Sequence, residues 1–68
     1  MHFKEFDIKK EGKVFQIERI MYPRMSLIID CTLPMPQIRD IKLLDECSAD
    51  EFKSILFSLE ELIKTLKD

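Results

Sequence analysis

The sequence predicts an α+β domain in which a four-stranded antiparallel meander is followed by one C-terminal amphipathic helix (ββββα). Three observations predict this fold. Apolar and polar residues alternate with a period of two in the first half of the chain, turn residues separate the alternating runs, and residues 49–66 carry an apolar stripe with helical spacing. A chain of 68 residues makes one domain at most, so we treat residues 1–68 as a single small domain.

The first two predicted strands form a hairpin. Phe6 and Ile8 alternate with acidic residues, and after a break the alternation resumes with Phe15 and Ile17 on one face. The break at residues 10–13 contains the only glycine in the chain, and glycine supplies the positive φ that a tight hairpin turn requires.

The third predicted strand is the most regular. A turn at Tyr22-Pro23-Arg24 precedes it, and every second residue from Met25 to Leu33 is apolar. The prolines at positions 34 and 36 then interrupt the sheet, because proline cannot donate a backbone hydrogen bond.

Residues 37–44 have two interpretations. They form a fourth strand that carries Ile41 and Leu43, which we favour, or a short helix in which Ile38, Ile41 and Leu44 are spaced three apart.

The helix is the clearest element. Ser48 and Glu51 have the spacing of a capping box, which satisfies free N–H groups at a helix start. The stripe that follows consists of Phe52, Ile55, Leu56, Leu59, Leu62, Ile63 and Leu66. We expect it to cover one sheet face, made of Phe6, Ile8, Phe15, Ile17, Leu27, Ile29 and Leu33.

The opposite sheet face is expected to carry apolar residues among charged ones, namely Phe3, Val14, Ile20, Tyr22 and Ile28. A solvated face normally alternates more cleanly, so we expect another chain to cover it in part, most simply in a homodimer. Phe57 lies nearly opposite the helix stripe. It is either an isolated exposed aromatic or a contact point for a partner or a second copy of the chain.

Composition excludes several classes of function. Eleven basic and 13 acidic residues give a net charge of −2, which is not the basic footprint of a protein that binds phosphate backbones. No apolar run approaches the length of a membrane span. The first ten residues do not resemble a secretory signal, so we expect a cytoplasmic protein in which Cys31 and Cys47 are free thiols. Cys31 is interpreted as a small core residue, whereas Cys47 stands just before the helix, where a thiol pKa can fall.

No catalytic or metal-binding pattern is visible. His2 is the only histidine, the serines lack a G-x-S-x-G context, and one glycine cannot make a phosphate-binding loop. His2 and the two cysteines do not have zinc-ligand spacing. Four carboxylates surround the helix start, at Asp40, Asp45, Glu46 and Asp50, and we interpret them as a solvated cluster rather than a cation site. We therefore expect no enzyme activity and no cofactor.

Two binding functions remain. The first is a protein-protein interaction module, such as an adaptor, a small subunit or an inhibitor, that binds through the second sheet face and the corner at residues 21–25. In a meander this corner lies at the same end of the sheet as the helix N-terminus. The alternative for Met21 and Met25 is that both are strand-end core residues. The candidate interaction residues are Ile20, Tyr22, Arg24, Ile28 and Phe57.

The second function is single-stranded nucleic-acid binding by a dimer. The element order strand–strand–strand–strand–helix resembles that of the positive-cofactor-type and whirly-type transcription cofactors, and the resemblance implies a dimer that grips single strands on its sheet. Bases would then stack on Phe3 and Tyr22, and phosphates would contact Arg19, Arg24 and Arg39.

Overall fold

Five strands and one helix make up the fold, seen in a computed structural model that describes residues 1–67. The elements are β1 (His2–Phe3), β2 (Phe6–Glu11), β3 (Val14–Arg19), β4 (Met25–Asp30), β5 (Gln37–Leu43) and α1 (Ala49–Lys67). The sheet order is β1-β2-β3-β4-β5, and every neighbouring pair is antiparallel. The antiparallel meander with one C-terminal helix is confirmed, but the prediction of four strands was wrong, because the sheet has five.

The additional strand is β1, which lies at the edge beside β2. His2 pairs with Asp7 and Phe3 pairs with Phe6. The N-terminal ammonium donates to the carbonyl of Ile8 at 3.1 Å, and the amide of Ile8 donates to the carbonyl of Met1 at 2.8 Å. A strand of two residues is too short to show alternation, so only its pairing with β2 defines it.

The hairpin between β2 and β3 follows the prediction. Glu11 pairs with Val14, and Gly12 between them has a φ of +63°. Glycine at the first central position of a two-residue turn is the arrangement of type II′.

β4 ends earlier than predicted. The Oδ1 atom of Asp30 accepts hydrogen bonds from the backbone N of Thr32 at 2.9 Å and from its Oγ1 at 2.6 Å. This local turn directs the chain away from the sheet. Leu33 is consequently 59% exposed, so its predicted place beneath the helix was wrong.

Residues 37–43 form a strand, as favoured, and not a helix. The strand contains a β-bulge, because Lys42 pairs with Ser26 and Arg39 pairs with Ile28. Asp40 and Ile41 of β5 therefore lie opposite a single residue of β4, Leu27. Asp40 is the extra residue, with a φ of +55°. The bulge leaves Ile38 and Leu43, which pair with core residues of β4, on the helix side of the sheet.

The core lies between α1 and the central strands. Its buried residues are Phe6, Ile8, Phe15, Ile17, Met25, Leu27, Ile29, Ile55, Leu59 and Leu62. Phe3 packs against this cluster, which corrects its predicted place on the open face. The capping box forms as predicted: Glu51 N donates to Ser48 Oγ and Ser48 N donates to Glu51 Oε1, both at 3.1 Å.

The two flanks of the apolar stripe on α1 have different surroundings. Glu61 forms an ion pair with Lys4, in the turn between β1 and β2. Leu56 projects on the other flank of the apolar stripe, at about 100° per residue. Leu56 is 41% exposed there.

Candidate functional site

The connection between β3 and β4, residues 20–24, is here named the β3–β4 corner. Ile20, Met21 and Tyr22 are 55%, 54% and 67% exposed, whereas Pro23 is buried. The hydroxyl of Tyr22 donates to the carbonyl of Glu46 at 2.8 Å. This contact confirms that the corner and the start of α1 lie at the same end of the sheet.

Arg19 supports the corner from the end of β3. Its Nη1 atom donates to the carbonyls of Met21 at 3.0 Å and Pro23 at 2.9 Å, and its Nε atom lies 3.3 Å from the Glu5 carboxylate. The amide of Ile20 also donates to the carbonyl of Glu5 at 3.0 Å. Because a half-buried guanidinium with a carboxylate partner makes strong, directional bonds, Arg19 fixes the path of the backbone through the corner.

Arg24 and Asp45 fasten the corner to the segment before α1. Oδ2 of Asp45 accepts from Arg24 N at 2.9 Å and from Arg24 Nε at 3.0 Å, and Oδ1 accepts from Nη2 at 3.1 Å. The amide of Leu44 donates to the carbonyl of Arg24 at 2.9 Å. These hydrogen bonds stabilise the ionised carboxylate and lower the pKa of Asp45 to about 2.

The result is a set of three exposed apolar side chains on a hydrogen-bonded frame. Exposed loops are usually mobile, but the carbonyls of Met21, Pro23 and Arg24 all have partners here. A surface of this kind can contact another protein without first having to become ordered.

The five predicted interaction residues do not form one surface. Ile20, Tyr22 and Arg24 lie together at the β3–β4 corner, although Arg24 acts there as part of the frame. Ile28 is half-buried on the open face of the sheet, in the middle of β4. Phe57 is 64% exposed on the outer side of α1, so the core lies between it and Ile28.

The open face of the sheet is more polar than predicted. Val14 and Ile28 lie on it, but Phe3 packs on the core, and Ile20 and Tyr22 belong to the corner. A shallow hollow of about 610 Å³ lies over the bulge. Its lining combines the polar residues Gln16, Glu18, Ser26, Asp40 and Lys42 with the apolar residues Ile17, Leu27, Ile28 and Ile41.

The residues proposed to contact nucleic acid have other partners. Arg19 pairs with Glu5, Arg24 with Asp45, and Arg39 with Asp30 at 3.5 Å. Each arginine therefore carries a nearby carboxylate that offsets its attraction for phosphate.

The acidic residues near the helix start are dispersed. Asp45 belongs to the corner frame and Asp40 to the bulge of β5. Within residues 1–67, no three His, Cys, Asp or Glu side chains are grouped to hold a metal ion. Both cysteines are free, and Cys31 packs against the core. In the same part of the chain, α1 is too polar to cross a membrane.

Sequence reasoning missed the residues that build the frame. Asp45 appeared only as one of four carboxylates, and Arg19 only as a phosphate contact, since their partners are distant in the chain. The one available signal for the site was the group of apolar residues beside Pro23. Comparison with known proteins finds no matching family model, no similar curated protein and no similar solved structure.

Proposed function

We propose that this protein is a small protein-protein interaction module, an adaptor, small subunit or inhibitor, that acts by binding through the β3–β4 corner rather than by catalysis. The observation that carries the proposal is the exposure of Ile20, Met21 and Tyr22 on a fixed frame. Methionine and tyrosine are enriched in the cores of protein interfaces.

The frame also favours tight binding. An interface residue that is already held in place loses less conformational entropy on binding than a mobile one. The aromatic ring of Tyr22 is held at its hydroxyl end by Glu46, so the ring presents its apolar surface in a defined position. Such anchored aromatic residues often supply much of the binding energy in protein interfaces.

Site-specific photocrosslinking in the native cells tests the proposal. A benzoylphenylalanine at position 21 replaces an exposed side chain that does not belong to the frame, and the same residue at position 9 is the control on the open sheet face. We expect a discrete, heavier product from position 21 that is absent from position 9. Tyr22→Ala in the position-21 chain should greatly reduce the product. Identical patterns from both positions would contradict the proposal.

The proposal includes a homodimer in the reducing cytoplasm. The ten buried residues within the described part of the chain, residues 1–67, make a small core, and association of two copies is a common source of additional stability for short chains. Phe57 supports a dimer contact, because it is 64% exposed on the otherwise polar outer side of α1. Both cysteines are free thiols, which suits a reducing compartment.

A further inference from the structure

The two edges of the sheet differ in their capacity to pair with another strand. The β1 edge is only two residues long. The β5 edge is seven residues long, and all seven residues are exposed. Because backbone N–H and C=O groups along an edge strand are free to bond, β5 can accept a further strand.

The side of β5 that faces α1 is apolar. Ile38, Ile41 and Leu43 are 41%, 53% and 45% exposed, although Ile38 and Leu43 pair with the core residues of β4. An added strand would cover these side chains, which together expose apolar surface on the order of a few hundred Å², the size of a functional patch.

The open side of β5 is cationic. Arg39 and Lys42 pair with Ile28 and Ser26 on that face. Arg39 forms a long ion pair with Asp30, with 3.5 Å between Nη2 and Oδ2. By contrast, no carboxylate in residues 1–67 lies within ion-pair distance of Lys42. Asp40 contributes one negative charge, so the strand carries a net charge of +1 in a chain of net charge −2.

A second copy of β5 is a poor match for this edge. In an antiparallel pair related by a two-fold axis, the alignment that sets Ile38 opposite the second copy's Leu43 also places Arg39 opposite the second copy's Lys42. Alignment centred on Lys42 places two lysines opposite each other. Like charges directly across a ladder are destabilising. Alignment centred on Ile38 avoids this repulsion, but it leaves Ile41 and Leu43 uncovered and extends into Pro36, which cannot donate a hydrogen bond.

We infer that β5 binds an extended segment of another protein by strand addition, and that this segment alternates apolar with acidic residues. Its apolar side chains pack on Ile41 and Leu43, and its carboxylates face Arg39 and Lys42. The bulge at Asp40 divides the edge into two short stretches, which disfavours pairing with long regular strands. This surface is separate from Ile20, Met21 and Tyr22, so it goes beyond the proposed function.

Fluorescence anisotropy with two labelled peptides tests the inference. The probe is a heptapeptide of alternating valine and glutamate, and the matched probe replaces each glutamate with lysine. We expect the purified chain to bind the glutamate peptide at least tenfold more tightly. Lys42→Glu should reverse the preference, and Lys9→Glu, a change of the same charge on the open face of β2, should leave it unchanged. Tyr22→Ala should also have no effect, which separates this site from the β3–β4 corner.

Backbone amide NMR shifts identify where the glutamate peptide binds. The inference requires the largest shifts in residues 37–44. Equal affinity for the two peptides, retention of the preference in Lys42→Glu, or shifts confined to β1 would overturn it. A concentration-dependent dimer that loses its association on Lys42→Glu would also overturn it, because the second copy would then occupy β5.

Discussion

Truncation of Leu59 is the most direct test of the packing between α1 and the sheet. The side chain is 3% exposed at the centre of the helix stripe. Leu59→Ala removes three carbon atoms, at about 0.8 kcal/mol per buried methylene, and leaves a cavity that the neighbouring side chains fill only in part. We expect the free energy of unfolding to fall by about 2–5 kcal/mol.

This loss is large for a chain of 68 residues, whose total stability we place at about 3–10 kcal/mol from the usual range per residue. Leu56→Ala is the matched control, since the same atoms are removed from the same helix at a position that is 41% exposed. Its expected cost is about 1 kcal/mol, because less apolar surface returns to water.

The assay is urea unfolding followed by far-UV circular dichroism. With a slope of about 1 kcal/mol per molar urea, Leu59→Ala should lower the midpoint by roughly 2 M or more. If that variant is unfolded without urea, Ile55→Val at the neighbouring buried position should still fold, with a loss of about 0.5–1.5 kcal/mol. Equal midpoints for Leu59→Ala and Leu56→Ala would refute the packing argument.

Three further changes test the cap, the corner and the helix surface. Ser48→Ala removes the acceptor for Glu51 N and should cost about 0.5–2 kcal/mol in urea unfolding, whereas Ser54→Ala on the exposed helix surface should cost less; equal losses would contradict the cap. The folded pKa of Asp45 is about 2, below its ordinary 3.8, so its stabilising effect is complete above pH 4 and is lost as the pH falls toward 2. Wild type and Asp45→Asn should therefore converge in urea midpoint below pH 4, and a constant difference from pH 7 to pH 2 would argue against the ion pair. Phe57→Asp should preserve the circular dichroism spectrum and lower the solution mass measured by light scattering; an unchanged dimer mass would exclude Phe57 from the dimer contact.

The parts of the fold that the sequence predicts are those fixed by local chemistry. The capping box joins Ser48 to a residue three positions away, and the hairpin turn depends on the φ of Gly12 alone. β1 could not be predicted in this way, because two residues show no periodicity and its bonds to Ile8 are contacts across a turn. Leu33 continued the alternation of β4, but the turn at Asp30 ends the strand before it.

The sequence indicated where in the chain the site lies, but it did not indicate the contacts that hold the site in place. The apolar residues beside Pro23 indicated a corner at residues 21–25, whereas the exposed corner is residues 20–24, because Met25 is buried in the core. The frame depends on Arg24 bonding to Asp45 and on Tyr22 bonding to Glu46, residues separated by more than twenty positions. Nothing in the local sequence distinguishes Asp45 from the other carboxylates near the helix start.

Asp40 explains why residues 37–44 resembled both a strand and a helix. Ile38 and Ile41 are three apart, which is a helical interval, whereas Ile41 and Leu43 have the interval of a strand. With Asp40 left out, the sequence Ile38-Arg39-Ile41-Lys42-Leu43 alternates perfectly, so the aspartate is one residue inserted into a regular strand.

The β-bulge accommodates this insertion, and aspartate is one of the few side chains that adopt a φ of +55° at moderate cost. The inserted residue leaves the apolar side chains on the helix side of the sheet while it interrupts the hydrogen-bonding edge. A strand with an apolar face at the rim of a sheet is a hazard for indiscriminate pairing, and a bulge is a known way to limit it. We therefore interpret Asp40 as the feature that allows β5 to remain exposed and apolar without associating with every available strand.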